Sequence, residues 1–255
     1  MTIDGAFRAR VLAREFLAGF WLNLGSAVTA EMAGLAGFDW VLLDHEHGPG
    51  GEETLLHQLQ AVSATPAACL VRVAANEPPR FKRVLDAGAH GVMVPYVSTA
   101  DEARAAVNAL RYPPRGTRGV AKLTRASSFG ARFDDYFAHA HEWLVTLTQI
   151  ETTDAVANAA EIASVDGVDV LFVGPMDLTT SMGISGQYDD ARFHDALGAV
   201  ADAAREHNKA AGILLLDPAN LPLCRELGYT VVALGSDGGA VQAGLTASRD
   251  RLGSG

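Results

Sequence analysis

Short apolar runs rich in β-branched and aromatic residues alternate with longer Ala- and Leu-rich amphipathic stretches along almost the whole chain. That rhythm predicts parallel strands joined by crossover helices. Strands are predicted at about Ala18–Asn23, Trp40–Asp44, Cys69–Val73, Gly91–Tyr96, Leu144–Glu151, Asp169–Gly174, Ala211–Leu216 and Thr230–Gly235. Helices fill the gaps at Ala27–Ala36, Glu52–Ala64, Pro79–Ala87, Ala100–Leu110, Asp154–Ala163, Ala191–His207, Ala219–Leu227 and Gly239–Arg251. Eight strand–helix pairs are the number that closes a barrel, so the expected fold is α/β, a single (β/α)8 TIM barrel. The spacing fails once. The segment from about 111 to 142, opening Tyr112-Pro113-Pro114-Arg115-Gly116, reads either as a solvated excursion with one short helix or as a lid or subunit contact.

Size and composition agree with one domain over residues 1–255: the chain has 255 residues, 49% of them hydrophobic, enough for one barrel core. A net charge of −10, with no basic cluster free of nearby acids, argues against nucleic acid as a partner. Asp4, Arg8, Arg10, Arg14 and Glu15 interrupt the first twenty residues too often for a signal-peptide core. No apolar run approaches the ~20 residues of a membrane span. A soluble, cytoplasmic protein with no membrane partner is therefore expected. Cys69 and Cys224 lie far apart in apolar stretches and read as small buried hydrophobes.

Reactive groups in such barrels sit at the carboxyl ends of the strands, where the βα loops share one mouth. The second predicted strand runs into Asp44-His45-Glu46-His47-Gly48, and the third reaches Arg72. The fifth ends Gln149-Ile150-Glu151, and the sixth leads into Gly174-Pro175-Met176-Asp177. Glu151 and Asp177 come from neighbouring units and can converge. Two carboxylates with open water positions suit a hard divalent cation, while buried ion pairs with arginines are the competing reading. Arg72 either stabilises an enolate or carboxylate or simply pairs with Glu46 or Asp44. His47 reads as a general base whose ring Asp44 orients, or, with His45, as a loop cap before Pro49. Strict pleating cannot turn Asp44, Glu46 and His47 all inward, so the strand must end by about residue 44. The loop at Gly174–Asp177 offers backbone N–H groups to a small carboxylate. Gly235–Gly239 stands where barrels often bind phosphate but reads more simply as a tight turn. The remaining histidines lie away from the expected mouth.

Several separated motifs together resemble the HpcH/HpaI aldolases. They are Phe38 through His47, Leu70-Val71-Arg72, Arg111 through Val120, Gln149 through Thr152, Val173 through Leu178, and Gly212-Ile213-Leu214, in order across nearly the whole chain. The resemblance implies a class II pyruvate aldolase, dependent on Mg, Mn or Co, that joins pyruvate or hydroxypyruvate to an aldehyde or cleaves the product. By position, Glu151 and Asp177 would be metal ligands, and Gln149 would contact the oxo acid or a metal-bound water. Arg72 would neutralise the forming enolate. Asp44 and His47 would assist a metal-bound water that takes the hydroxyl proton, with Glu46 behind them. Backbone at Met176 and Asp177, framed by Gly174 and Pro175, would hold the pyruvate carboxylate, with Leu214 also at the substrate. Two departures stand out: the family more often has small residues where this chain has His45 and Met176, so both are expected to crowd the mouth or change its hydrogen bonding. The resemblance further implies a hexamer, a trimer of dimers that exchange C-terminal helices, a part Ala240–Leu252 would play.

Other readings weigh less. A Schiff-base aldolase needs an inward lysine, and Lys82, Lys122 and Lys209 all fall outside the predicted mouth. A metal-dependent lyase of the citrate lyase β-subunit or macrophomate synthase type, and a silent barrel that binds a small acid, remain as alternatives.

Overall fold

A computed structural model describes residues 3–253; residues 1, 2, 254 and 255 of the expected domain lie outside it. Eight parallel strands close into a barrel in sequence order. They are β1 (Leu17–Leu22), β2 (Trp40–Asp44), β3 (Ala68–Arg72), β4 (Gly91–Val94), β5 (Val145–Ile150), β6 (Val170–Val173), β7 (Ala210–Leu215) and β8 (Tyr229–Ser236). The expected (β/α)8 fold is the observed one.

Every residue of β2 through β6 is buried, because the barrel covers one strand face and the helices the other. The period of two then decides what each side chain meets. Trp40 and Leu42 of β2, Ala68 and Leu70 of β3, Val145 and Leu147 of β5, and Val170 and Phe172 of β6 fill the barrel interior. Their neighbours Val41, Leu43, Cys69, Val71 and Leu171 pack outward under the helices. Gly19 permits the tightest approach in the interior: a Cβ there would stand 2.0 Å from the fully buried Trp40 ring. The same parity continues to the carboxyl ends, where the inward positions fall to Asp44, Arg72, Gln149, Gly174 and Leu214.

The floor of the barrel is closed by an element the hydrophobic pattern does not announce. Helix Ala6–Leu12 sends Phe7 and Val11 into the interior cluster, and Arg8 pairs with Asp169 at 2.8 Å. The helix has only seven residues and begins at Gly5 without a side-chain cap, so it lacks the usual start signal. The irregular segment 111–142 runs from the end of helix Ala100–Leu110 towards the start of β5, so both its ends lie at this floor, opposite the mouth. It contains a 3-10 turn, Arg125–Ser127, and helix Phe133–Trp143. Arg118, 2% exposed, anchors it by donating to Asp86 and to the Tyr136 hydroxyl while lying 4.5 Å from the Tyr112 ring centre. Arg125 donates to the carbonyls of Ala87 and Leu59. These contacts lie far from the carboxyl ends of this chain's own strands, which removes the basis for a lid.

Three further differences have local causes. The predicted helix 154–163 is divided into Thr153–Ala157 and Ala159–Ala163 at Asn158, whose amide donates to the Ser98 carbonyl. Gly174–Asp177, expected as loop, opens a short helix, Pro175–Ser181, with proline in its first turn. The glycine cluster after β8 likewise starts helix Asp237–Arg251: Ser236 accepts from the Gly239 N–H, and buried Asp237 accepts from Asn23 and Thr29. Among the described residues no helix is long and apolar enough to cross a membrane.

Candidate active site

The carboxyl ends of the strands surround a cavity of about 360 Å³, lined by Trp21, Asn23, Asp44, His47, Arg72, Gln149, Phe172, Gly174 to Asp177, Leu214, Leu216 and Ser236. Most of the residues singled out by sequence meet here; Glu46 and Glu151 are not part of this lining but bond to residues that are, and His45 lies elsewhere.

Asp44 and Arg72, adjacent across the β2–β3 ladder, form the inner wall. Arg72 Nε donates to Asp44 Oδ1 at 3.0 Å and its Nη2 to Oδ2 at 2.6 Å, while Nη1 lies 2.8 Å from Glu46 Oε2. Trp21 Nε1 donates to Asp44 Oδ2 at 3.1 Å, and the Trp21 ring lies 4.9 Å from the guanidinium carbon. Asp44 Oδ1 also accepts from the backbone N–H groups of Glu46 and His47, which is how the chain turns after residue 44. Burial opposes ionisation of Asp44, but the Arg72 bonds outweigh it and hold the carboxyl below its ordinary range. Asp44 thus fixes Arg72 and the His47 backbone. The expected bond from Asp44 to the His47 ring is absent among the described residues; the ring is exposed at the cavity edge.

His45 follows the opposite parity. Its side chain lines a separate cleft with Leu55, Val73 and Val84, between helices Glu52–Val62 and Pro78–Asp86. Burial lowers its imidazole against the opposing effect of a hydrogen bond with Gln58. The expectation that His45 crowds the mouth is therefore corrected: an odd position next to Leu43 faces the helices. Met176 does stand at the mouth, 47% exposed, with the Tyr188 hydroxyl donating to its sulfur at 3.8 Å.

Gln149 and Glu151 share the inward face of β5 and its extension. Gln149 Nε2 donates to Glu151 Oε2 at 2.8 Å, and the N–H of Tyr96 donates to Glu151 Oε1 at 2.7 Å. Gly174 leaves room beside them: a Cβ there would lie 2.5 Å from Glu151 Oε2 and displace that carboxylate. The Tyr96 hydroxyl donates to Asp177 Oδ1 at 3.1 Å, so one residue bridges the two carboxylates. Burial, then repulsion from Asp177 and Glu46, pushes Glu151 up to about 7 despite the Tyr96 N–H. Burial also raises Glu46 against the pull of Arg72. Partial desolvation and then the surrounding carboxylates push the Tyr96 phenol up to about 12, so it remains a donor at neutral pH.

The described residues contain no group of three or more His, Cys, Asp or Glu side chains arranged around a cation position. What the site offers a hard cation is a pair of carboxylates and one buried amide oxygen. Among the described residues Gln149 Oε1, in a residue 2% exposed, has no hydrogen-bond partner, and buried Glu151 has no ion-pair partner. A cation with its water shell answers both deficits, so the donor set fits.

Sequence reasoning overlooked Trp21 and Tyr96. Trp21 was accessible through the inward parity of Leu17 and Gly19 on β1, and Tyr96 through its place just beyond the end of β4. The lysines and cysteines stay out of the chemistry. No lysine lines the cavity, and burial raises both thiols above their ordinary value.

Comparison with known proteins shows the family. The family profile HpcH/HpaI aldolase/citrate lyase matches residues 17–243. A 4-hydroxy-2-oxo-heptane-1,7-dioate aldolase of Salmonella dublin is 39% identical over 251 residues, covering 98% of this chain and 95% of the relative. A 5-keto-4-deoxy-D-glucarate aldolase of Salmonella paratyphi C is 41% identical over 237 residues, covering 93% and 92%. Among solved structures, an HpcH/HpaI aldolase/citrate lyase family protein from Burkholderia cenocepacia superposes with a TM-score of 0.93 at 36% identity, covering 98% of this chain and all of the other. With this match along nearly its whole length, the chain belongs to the HpcH/HpaI aldolase/citrate lyase family, as a carbon–carbon lyase of the aldolase kind.

Proposed function

We propose that this aldolase cleaves and forms 4-hydroxy-2-oxo acids, with pyruvate or hydroxypyruvate as the oxo-acid partner and a separate aldehyde as the other. The family is one of metal-dependent aldolases and lyases. The observation that carries the reading is the buried Gln149–Glu151 pair, with its orphan amide oxygen, facing Asp177 beside the Arg72 guanidinium. Glu151 and Asp177 would hold a divalent cation, Mg, Mn or Co, which would supply Lewis-acid polarisation of the 2-oxo group.

The chain's own residues supply the rest. N–H groups of Met176 and Asp177, in the first turn of helix Pro175–Ser181, have no intrahelical acceptor and receive the oxo-acid carboxylate. Cleavage moves the electron pair of the C3–C4 bond into the pyruvate enolate, and the C4 hydroxyl gives up its proton as the aldehyde forms. Arg72, locked between Asp44 and Glu46, presents positive charge towards the developing oxyanion without reorganisation. His47, exposed at the mouth, accepts the hydroxyl proton. Leu214, Trp21 and Phe172 exclude water around the reacting carbons.

Proton exchange at the pyruvate methyl group in deuterated buffer tests the reading without the physiological aldehyde. Exchange is expected with Mg or Mn restored to metal-stripped protein and not without them. No exchange with any cation, and none with hydroxypyruvate or 2-oxobutyrate, would overturn it.

We also infer that the working form is a homo-oligomer, a hexamer built as a trimer of dimers. Helix Asp237–Arg251 buries only Asp237 against its own barrel, leaving Val241 at 44% and Leu245 at 63% exposed. Val28, Met32 and Leu35 of helix Ala27–Leu35 are each about two-thirds exposed, an apolar face suited to another copy. Light scattering should give six copies, and Leu245→Glu should yield smaller species. A wild-type monomer would overturn the inference.

A further inference from the structure

We infer that Tyr96 is a positioning residue for the cation: its phenol holds Asp177 in the orientation in which that carboxylate receives the ion. The inference rests on the Glu151–Asp177 assignment above and adds a residue to it.

Three features converge on Tyr96. Its backbone lies in the left-handed region at φ 51°, sparsely populated by a bulky aromatic and kept only where surrounding contacts over-determine it. That kink breaks the β4–β5 ladder in a specific way. The Tyr96 N–H turns to Glu151 Oε1 at 2.7 Å, while the next amide, Val97, donates to the Gln149 carbonyl at 3.3 Å. The ring is 53% exposed, so burial does not dictate its position, and its hydroxyl donates to Asp177 Oδ1 at 3.1 Å. Asp177 Oδ2 makes no hydrogen bond among the described residues. The phenol therefore restrains one oxygen of a half-buried carboxylate on a short helix and leaves the other available. A carboxylate already ordered loses less side-chain freedom when it binds an ion. The left-handed turn sets the spacing, because it aims the N–H at one carboxylate and the hydroxyl at the other.

Titration of Mn2+ into metal-free protein, with free Mn2+ read by electron paramagnetic resonance, tests this. Tyr96→Phe removes only the hydroxyl and should weaken Mn2+ binding about three- to tenfold, the range for one lost hydrogen bond and one freed side chain. The melting temperature of the metal-free protein should not move. Tyr96→Leu, which also removes the ring, should weaken binding little further. A ring that acts only by packing would give the reverse: Phe would bind like wild type and Leu would not. Wild-type affinity in Tyr96→Phe overturns the role of the phenol and leaves the cation site standing. A wild-type chain that binds no Mn2+ overturns both.

Discussion

Glu151→Gln should lose divalent-cation retention and turnover together, with the fall in turnover on the order of 10³-fold, since a Lewis-acidic cation supplies several kcal/mol to such a transition state. The metal-free variant should nevertheless be at least as stable as the metal-free parent above neutral pH. Burial, followed by Asp177 and Glu46, raises the Glu151 carboxyl from its ordinary 4.5 to about 7, so the folded chain holds this proton more tightly than the unfolded one. The stability this contributes is fully present below about pH 4.5 and is lost as pH rises through about 7. Glutamine has no charge to bury and removes that loss. The same proton competes with the cation, so wild-type affinity should climb with pH and level off above about 7. Equilibrium dialysis and urea unfolding across pH 5 to 9 check these results. A variant that keeps its cation would sink the assignment of Glu151.

Arg72→Met should cost both turnover and stability. Side chains of Asp44 and Arg72 are only 3% and 8% exposed, so the truncation strands one buried carboxylate and one partly buried carboxylate. Removing one partner of a buried pair typically costs about 3–5 kcal/mol. Turnover should fall about 10²–10³-fold with the loss of a preorganised charge at the oxyanion. The two effects can be separated. Asp44→Asn added to Arg72→Met removes the more deeply buried of the two stranded charges and keeps one acceptor oxygen for the loop amides, so stability should recover in part and turnover should not. Recovery of turnover in the double variant would show Arg72 to be a structural ion-pair partner only.

The inward walls of the site were legible because period two runs unbroken through β2, β3 and β5. Once Trp40 and Leu42 face the interior, Asp44 must as well. The same count carries Leu70 to Arg72 and Leu147 to Gln149. It also excludes His45, although four titratable residues in a row look alike when read as a cluster. Where regular structure stops, the count stops with it. Helix Pro175–Ser181 contains polar and β-branched residues with no apolar period, and helix Ala6–Leu12 is too short to show one.

By itself the sequence determined the number and order of strands, the closed barrel, and the end of it where Asp44, Arg72, Gln149, Glu151 and Asp177 collect, because short apolar runs alternating with amphipathic stretches are a local property that survives without coordinates. Only the tertiary structure decided how those charges are shared. Asp44 belongs to Arg72 and Trp21 instead of the His47 ring, Arg72 reaches Glu46 as well, and Tyr96 joins Glu151 to Asp177. Hydrogen-bond partners between separate strands depend on ångström-scale distances after the chain leaves its regular geometry, and no spacing along the sequence encodes them.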